Sequence, residues 1–130
     1  MELWINPRCG KSRAAVNAFE EAGARYTVRR YLEHPPSPEE LVAVLAALDL
    51  EPWEITRTDE PVAVELGMKD GQAWPREAAA RDRWIAALAE HPVLIQRPII
   101  TTDDGRAVVA RTPEALRSVV PEPTRKRTGR

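Results

Sequence analysis

Residues 2–23 read ELWINPRCGKSRAAVNAFEEAG, and this stretch predicts a strand, a turn and a helix in succession. The apolar run at 2–5 ends at an Asn-Pro dipeptide, which is typical of turns. Over residues 12–22 the apolar side chains recur at the spacing of one helical face. Cys9, the only cysteine of the 130 residues, lies between the predicted strand and the predicted helix. The stretch therefore starts an α/β pattern and places a lone thiol in its first loop.

The rest of the chain predicts further strands and helices in a mixed order. Alternating β-formers at 25–32 predict a second strand. Ser37 as N-cap, followed by Pro38, predicts a long helix. Apolar runs at 99–101 and 107–110, joined by an Asp-Gly turn, predict a β-hairpin. Other helical pieces are predicted at 51–57, 60–67, 76–91 and 112–120. The order predicts an α/β, thioredoxin-like fold: a small mixed four-stranded sheet with flanking helices and a helical insert.

Length and composition narrow the class of protein. A chain of 130 residues is about one domain, and a single cysteine excludes an internal disulfide, which suits a reducing cytoplasm. His34 and His91 lie too far apart in the chain to form a zinc-ligand pattern. No stretch approaches the roughly 20 apolar residues of a membrane helix, and the start of the sequence has neither a basic n-region nor an apolar h-region, so we do not expect a secretory signal. We therefore expect a cytoplasmic protein without a bound metal or a membrane partner.

The formal net charge of −1 is unevenly distributed. Residues 121–130, PEPTRKRTGR, carry four basic side chains and one acidic side chain, so the rest of the chain is acidic. An acidic body argues against nucleic-acid binding, which needs a basic face. We expect one domain over residues 1–120, followed by a disordered basic tail over 121–130.

The neighbours of Cys9 in the sequence predict a reactive thiolate rather than an inert core residue. A helix N-terminus presents unpaired backbone N–H groups and the positive end of the helix dipole, and both favour an anion. Arg8, Lys11 and Arg13 add three cations close to the sulfur. Gly10 lets the backbone approach an anion closely. These features are expected to lower the pKa of the thiol.

Other residues indicate how an oxidised Cys9 would be reduced and which side chains could bind an oxyanion beside it. Ser12 occupies the position of the second cysteine in a Cys-x-x-Cys pair, so an oxidised Cys9 depends on an external thiol. Arg57, Arg97 and Arg111 are candidate oxyanion ligands, because a guanidinium fork matches a tetrahedral oxyanion. Taken alone, each of these arginines is typical of a surface charge.

Four stretches of the chain resemble the arsenate reductase family with a thioredoxin-like fold. This is the type that depends on glutathione and glutaredoxin, and redox-sensing regulators are among its relatives. The stretches are NPRCGKSR at 6–13, YLEHPPSPEELV at 31–42, TRTDEPVAVELG at 56–67 and HPVLIQRPIITTDDGRAVVARTPE at 91–114. The resemblance extends from about residue 2 to residue 120 and is most specific in the last stretch, where length, order and both arginines fit.

The resemblance implies roles for five residues. Cys9 falls at the position of the nucleophile that attacks arsenate or a similar oxyanion. Three arginines fall at the positions of the family's oxyanion ligands: Arg57, Arg97 and Arg111. Pro98 falls at the cis proline that lies beside the active-site loop in thioredoxin-like folds.

The resemblance also implies a reaction, the thiol-dependent reduction of arsenate to arsenite. No bound cofactor is implied; the co-substrate is a small thiol, glutathione or mycothiol, and the protein partner is a glutaredoxin-like reductant. Ile5 departs from the best-studied branch of the family, which has a histidine near this position, and isoleucine cannot donate a hydrogen bond to a thiolate. The adjacent cation Arg8 is the candidate to compensate.

Two other functions remain open at this point. A cysteine-based redox-sensing regulator of the same fold would bind a protein partner without turning over arsenate. A monothiol reductant of mixed disulfides would need a groove for a small thiol, and the sequence carries no mark of one. The single cysteine and the complete set of arginines favour the enzyme.

Overall fold

The computed structural model describes residues 1–121 and divides the chain into two compact units. The first unit consists of Met1–Tyr31 and the chain from Arg97 onward, and the second unit is Leu32–Gln96. The predicted tail over 121–130 lies, apart from its first residue, outside the described residues.

The first unit is built on a mixed four-stranded sheet, which confirms the predicted fold class. Its strands are β1 (Glu2–Ile5), β2 (Thr27–Arg30), β3 (Ile99–Thr101) and β4 (Ala107–Val109), and its helices are α1 (Gly10–Glu21) and α5 (Pro113–Arg117). The strand order is β2-β1-β3-β4. Strand β1 runs parallel to β2 and antiparallel to β3, so that Leu3 pairs with Val28 on one side and with Ile100 on the other.

The helix that follows Cys9 packs on the core of this sheet. Ala15 and Phe19 of α1 are fully buried and share one cluster with Leu3 and Ile100. The helix begins at Gly10, two residues before the predicted start. Its first turn is glycine and polar residues, which give no apolar periodicity to read, and this explains the difference. The loop before the helix is therefore only four residues long.

The second unit is helical, as the sequence predicted. It contains α2 (Pro38–Leu48), α3 (Pro61–Leu66) and α4 (Arg81–Glu90), with 3₁₀ turns at Pro52–Ile55, Ala78–Ala80 and Pro92–Leu94. The predicted helix over 76–91 is thus a 3₁₀ turn continued by α4. Trp84 is fully buried and makes edge-to-face contacts with Trp53 and Trp74, so these tryptophans are packing residues.

Candidate active site

Cys9 is the N-cap residue of α1. Its backbone is extended, with φ −90° and ψ 126°, and its carbonyl oxygen accepts the first helical hydrogen bond, from the Arg13 N–H at 3.1 Å. Its own N–H donates to the Asn6 carbonyl oxygen at 2.9 Å, which closes the loop into a turn. The side chain is partly buried. The thiol therefore lies where the free N–H groups of the helix are directed.

Ser12 connects this turn to the first turn of the helix. Its side chain is fully buried, and its Oγ accepts a hydrogen bond from the Asn6 N–H at 3.1 Å. The Ser12 hydroxyl is also one of the groups that lower the pKa of the Cys9 thiol. One serine therefore binds the start of the loop and favours the thiolate at its end.

The surroundings of Cys9 hold the pKa of its thiol below the ordinary value for cysteine. Burial is the largest single influence, and it raises this pKa because it disfavours the charged thiolate. Hydrogen bonds from the backbone N–H groups of Ser12 and Lys11, the hydroxyl of Ser12 and the positive charge of Arg97 lower it. Together these four influences outweigh burial, so the thiolate is favoured.

The three cations that lie near Cys9 in the sequence lower the pKa of its thiol less than predicted. Arg8, Lys11 and Arg13 are exposed, and Arg13 donates from Nη1 to the Pro7 carbonyl oxygen at 3.1 Å. Solvent screens such charges. The lowering of the pKa comes instead from the helix N-terminus, a hydroxyl and a buried arginine.

Arg97 and Arg111 lie together in the first unit. Arg97 is only 6% exposed, and the peptide bond between Arg97 and Pro98 is cis. Arg111 donates from Nη1 to the Arg97 carbonyl oxygen at 2.6 Å. The backbone is fixed beside this contact, because the Ala110 N–H donates to the Pro98 carbonyl oxygen at 2.9 Å. The sequence-predicted residues Cys9, Arg97 and Arg111 thus belong to one compact unit, and the charge of Arg97 acts on the sulfur.

Arg57 belongs to the second unit. Its backbone N–H donates to the Leu94 carbonyl oxygen at 2.7 Å, next to a β-bridge between Thr56 and Ile95. Its Nε contacts a carboxylate oxygen of Glu60 at 3.1 Å. The sequence predicted a guanidinium at this position but not its carboxylate partner three residues later.

Asn6 holds the loop together through hydrogen bonds that the sequence analysis did not predict. Its side-chain oxygen accepts a hydrogen bond from the Arg8 N–H at 3.0 Å, while its backbone N–H and carbonyl bind Ser12 and Cys9. The available signal was the preference of asparagine for bonding the backbone two residues ahead. Ile5, just before it, is 6% exposed and belongs to the core of the first unit.

Within residues 1–121, no group of three or more histidine, cysteine, aspartate or glutamate side chains is placed to hold a metal ion. No helix in the same residues combines the length and the apolar character needed to cross a membrane.

The chain is similar to known proteins in sequence and in fold. The model of the ArsC family matches residues 4–119. A Streptomyces viridochromogenes protein from the glnII region is 62% identical over 120 residues, 92% of this chain and 98% of its own. An arsenate reductase of Yersinia enterocolitica is 32% identical over 93% of this chain and 81% of its own. The solved structure of an arsenate reductase from Vibrio cholerae, 35% identical, superposes with a TM-score of 0.79 over 92% of this chain and 98% of its own.

Proposed function

The chain belongs to the ArsC family, and from this premise we propose that it is an oxidoreductase that reduces arsenate to arsenite with Cys9 as the nucleophile. The observation that carries the proposal is the state of the Cys9 thiol. Cys9 is the N-cap residue of a helix, the pKa of its thiol is lowered, and the charge of the buried Arg97 acts on the sulfur. A thiolate in such surroundings is both a nucleophile and a neighbour suited to an oxyanion.

The proposed first step forms a bond between the Cys9 sulfur and the arsenic of arsenate. The thiolate attacks, one arsenic–oxygen bond breaks, and the oxygen leaves as water after taking up protons. Arsenic remains in the pentavalent state. Arg97 and Arg111 offset the negative charge of the oxyanion through guanidinium hydrogen bonds. Arg57 enters the proposal from the family resemblance alone.

The two electrons for the reduction come from outside the chain, because Cys9 is its only cysteine. A small thiol, glutathione or mycothiol, bonds to arsenic in place of a second oxygen, which leaves as water. A glutaredoxin-like thiolate then attacks the sulfur of that small thiol. The electron pair of the broken arsenic–sulfur bond stays on arsenic, which becomes trivalent, and a mixed disulfide leaves. Hydrolysis of the remaining bond releases arsenite and restores Cys9, so the scheme needs no prosthetic group.

The oxyanion part of this proposal predicts that arsenate protects Cys9 from alkylation. In the wild-type protein, increasing arsenate should slow the reaction of Cys9 with iodoacetamide until the effect saturates. Arg111→Ala should need about tenfold more arsenate for the same protection, since a charge-assisted hydrogen bond contributes about 1.5–3 kcal/mol. Labelling followed by mass spectrometry measures the rate.

Arg106→Ala is the matched control. Arg106 is an exposed arginine of the hairpin turn, paired with Asp104 at 3.0 Å, and its loss should leave the protection unchanged. Equal protection in wild type and Arg111→Ala would remove Arg111 from the oxyanion site. Sodium chloride at the same ionic strength separates binding from screening.

A further inference from the structure

The loop around Cys9 carries a cluster of cations and no acidic residue. Residues 6–13 read NPRCGKSR, in which Arg8, Lys11 and Arg13 lie within four positions of the cysteine. All three side chains are exposed. Like charges on one small surface repel each other, so such a cluster is unfavourable unless anions offset it. The partners of these cations therefore indicate what the surface binds.

The cation cluster has no counter-ion among residues 1–121. No carboxylate of these residues forms an ion pair with any of its three members. Cations elsewhere in the chain have such partners: Lys69 contacts Asp59 at 2.6 Å, and Arg106 contacts Asp104 at 3.0 Å. The cluster is therefore available to an anion from outside the chain.

Arg13 is the member of the cluster whose side chain is fixed against the loop. Its Nη1 donates to the Pro7 carbonyl oxygen at 3.1 Å, and its Nη2 lies 3.7 Å from the position that a Cβ atom on Gly10 would occupy. The guanidinium group thus lies beside the turn that carries Cys9. A guanidinium has five N–H donors, so the contact with Pro7 leaves others for a ligand.

The exposed cluster and the buried arginine of the site are suited to different anions. Arg97 is 6% exposed, and in the proposed reaction it binds the oxyanion together with Arg111. The exposed cations are in contact with solvent, from which the small thiol arrives. That thiol bonds to arsenic, next to the Cys9 sulfur. Guanidinium and ammonium groups bind carboxylates through charge-assisted hydrogen bonds, so carboxylates on the thiol would match the cluster.

We propose that Arg8, Lys11 and Arg13 bind the carboxylates of the small thiol, so that the co-substrate is a carboxylate-bearing thiol such as glutathione. An uncharged thiol such as mycothiol has no group that these cations would bind. The inference rests on the proposed function, in which a small thiol reacts beside Cys9. The positive charges attract the thiol as it approaches and hold it beside the sulfur.

The test compares the reaction of Cys9 with oxidised glutathione and with the disulfide of glutathione ethyl ester. The thiolate attacks one sulfur of either reagent, a mixed disulfide forms at Cys9, and the other half leaves as a thiolate. Esterification removes carboxylates and leaves the peptide and its sulfur unchanged. Mass spectrometry of the Cys9 adduct gives both rate constants. Their ratio cancels any change in the reactivity of the thiol itself, because both reagents react with the same thiolate.

We expect the wild type to react faster with oxidised glutathione than with the ester. Arg8→Gln and Lys11→Gln should each lower the ratio of the two rate constants about threefold, which is the size of effect typical of an exposed ion pair. Arg13→Gln should lower it as well, whereas Arg13→Lys keeps the charge and should stay near the wild type. Raising sodium chloride to about 0.5 M should lower the wild-type ratio to that of the variants.

Arg25→Gln is the matched control, because it removes one exposed cation from the same unit. Arg25 follows α1 at the end opposite to Cys9, and the 12 residues of this helix span about 18 Å. Charges that far apart are largely screened at physiological ionic strength. The ratio in Arg25→Gln should therefore equal that of the wild type.

An unchanged ratio in Arg8→Gln and Lys11→Gln would overturn the proposal, and so would an equal fall in Arg25→Gln, which would indicate an effect of net charge alone. These reactions contain no arsenate, so the two proposals fail separately. Lowered ratios beside a wild type that forms no arsenite would support the cation cluster and contradict the proposed function. Normal arsenite formation beside unchanged ratios would overturn only the role of the cluster.

Discussion

A small number of groups in the first unit determine whether Cys9 is a thiol or a thiolate. The backbone N–H groups of the helix N-terminus, the Ser12 hydroxyl and the positive charge of Arg97 lower the pKa of its thiol. Burial opposes them, and the balance favours the thiolate. These same groups would surround an oxyanion bonded to the sulfur, because N–H donors and guanidinium groups both attract negative charge.

The lowered pKa of Cys9 predicts a specific pH dependence of stability. The folded state has the lower thiol pKa, so its stabilising effect is complete above the ordinary thiol pKa and is lost as the pH falls through the folded-state pKa. The free energy of unfolding of the wild type, minus that of Cys9→Ser, should therefore rise with pH between these two values. Urea unfolding under reducing conditions at a series of pH values measures it. A difference that falls with pH would contradict the account.

At the scale of single residues, the sequence predicted the position of Cys9 better than the groups that lower the pKa of its thiol. Cys9 follows from its place before a helix, which is a local pattern. The contribution of Arg97 is the charge of a residue that lies 88 positions away in the chain, and no local pattern predicts it. Ser12 was expected only as a supporting residue, because its burial depends on how the loop folds back over α1.

The N-terminal caps of two helices could be predicted from local sequence signals alone. Helix α2 begins with a capping box in which the Glu40 N–H donates to Ser37 Oγ at 3.1 Å and the Ser37 N–H donates to a Glu40 carboxylate oxygen at 3.0 Å. Thr112 caps α5 through its side chain alone, accepting the Ala115 N–H at 3.0 Å. Both caps were predicted, since serine or threonine before proline is a signal contained in the segment itself.

The cap of α2 predicts a measurable loss of stability. Ser37→Ala removes the acceptor for the Glu40 N–H and should lower the free energy of unfolding by about 1 kcal/mol. Ser37→Asp keeps an acceptor at the N-cap and should stay close to the wild type. Urea unfolding monitored by circular dichroism measures both variants. Equal losses of stability in the two variants would contradict the stabilising role of the hydrogen-bond acceptor at the N-cap.

At the scale of the whole molecule, the strand order and the division into two units could not be predicted from the sequence and are known only from the structure. Strand β1 lies between β2 and β3, and it pairs residues as distant in sequence as Glu2 and Thr101. Element types follow from the spacing of apolar residues, whereas such pairings depend on packing across the chain. The sequence likewise did not predict which unit each arginine belongs to: Arg57 belongs to the second unit, while Arg97 and Arg111 belong to the first.

The most direct test of the account is the formation of arsenite from arsenate by the purified full chain. The assay supplies glutathione with glutaredoxin and, in parallel, mycothiol with its own reductant, and it quantifies arsenite in wild type and in Cys9→Ser. We predict arsenite formation by the wild type with at least one thiol system and none above background in Cys9→Ser. Absence of arsenite with both systems, while Cys9 still alkylates rapidly at neutral pH, would contradict the account and favour a redox-sensing regulator.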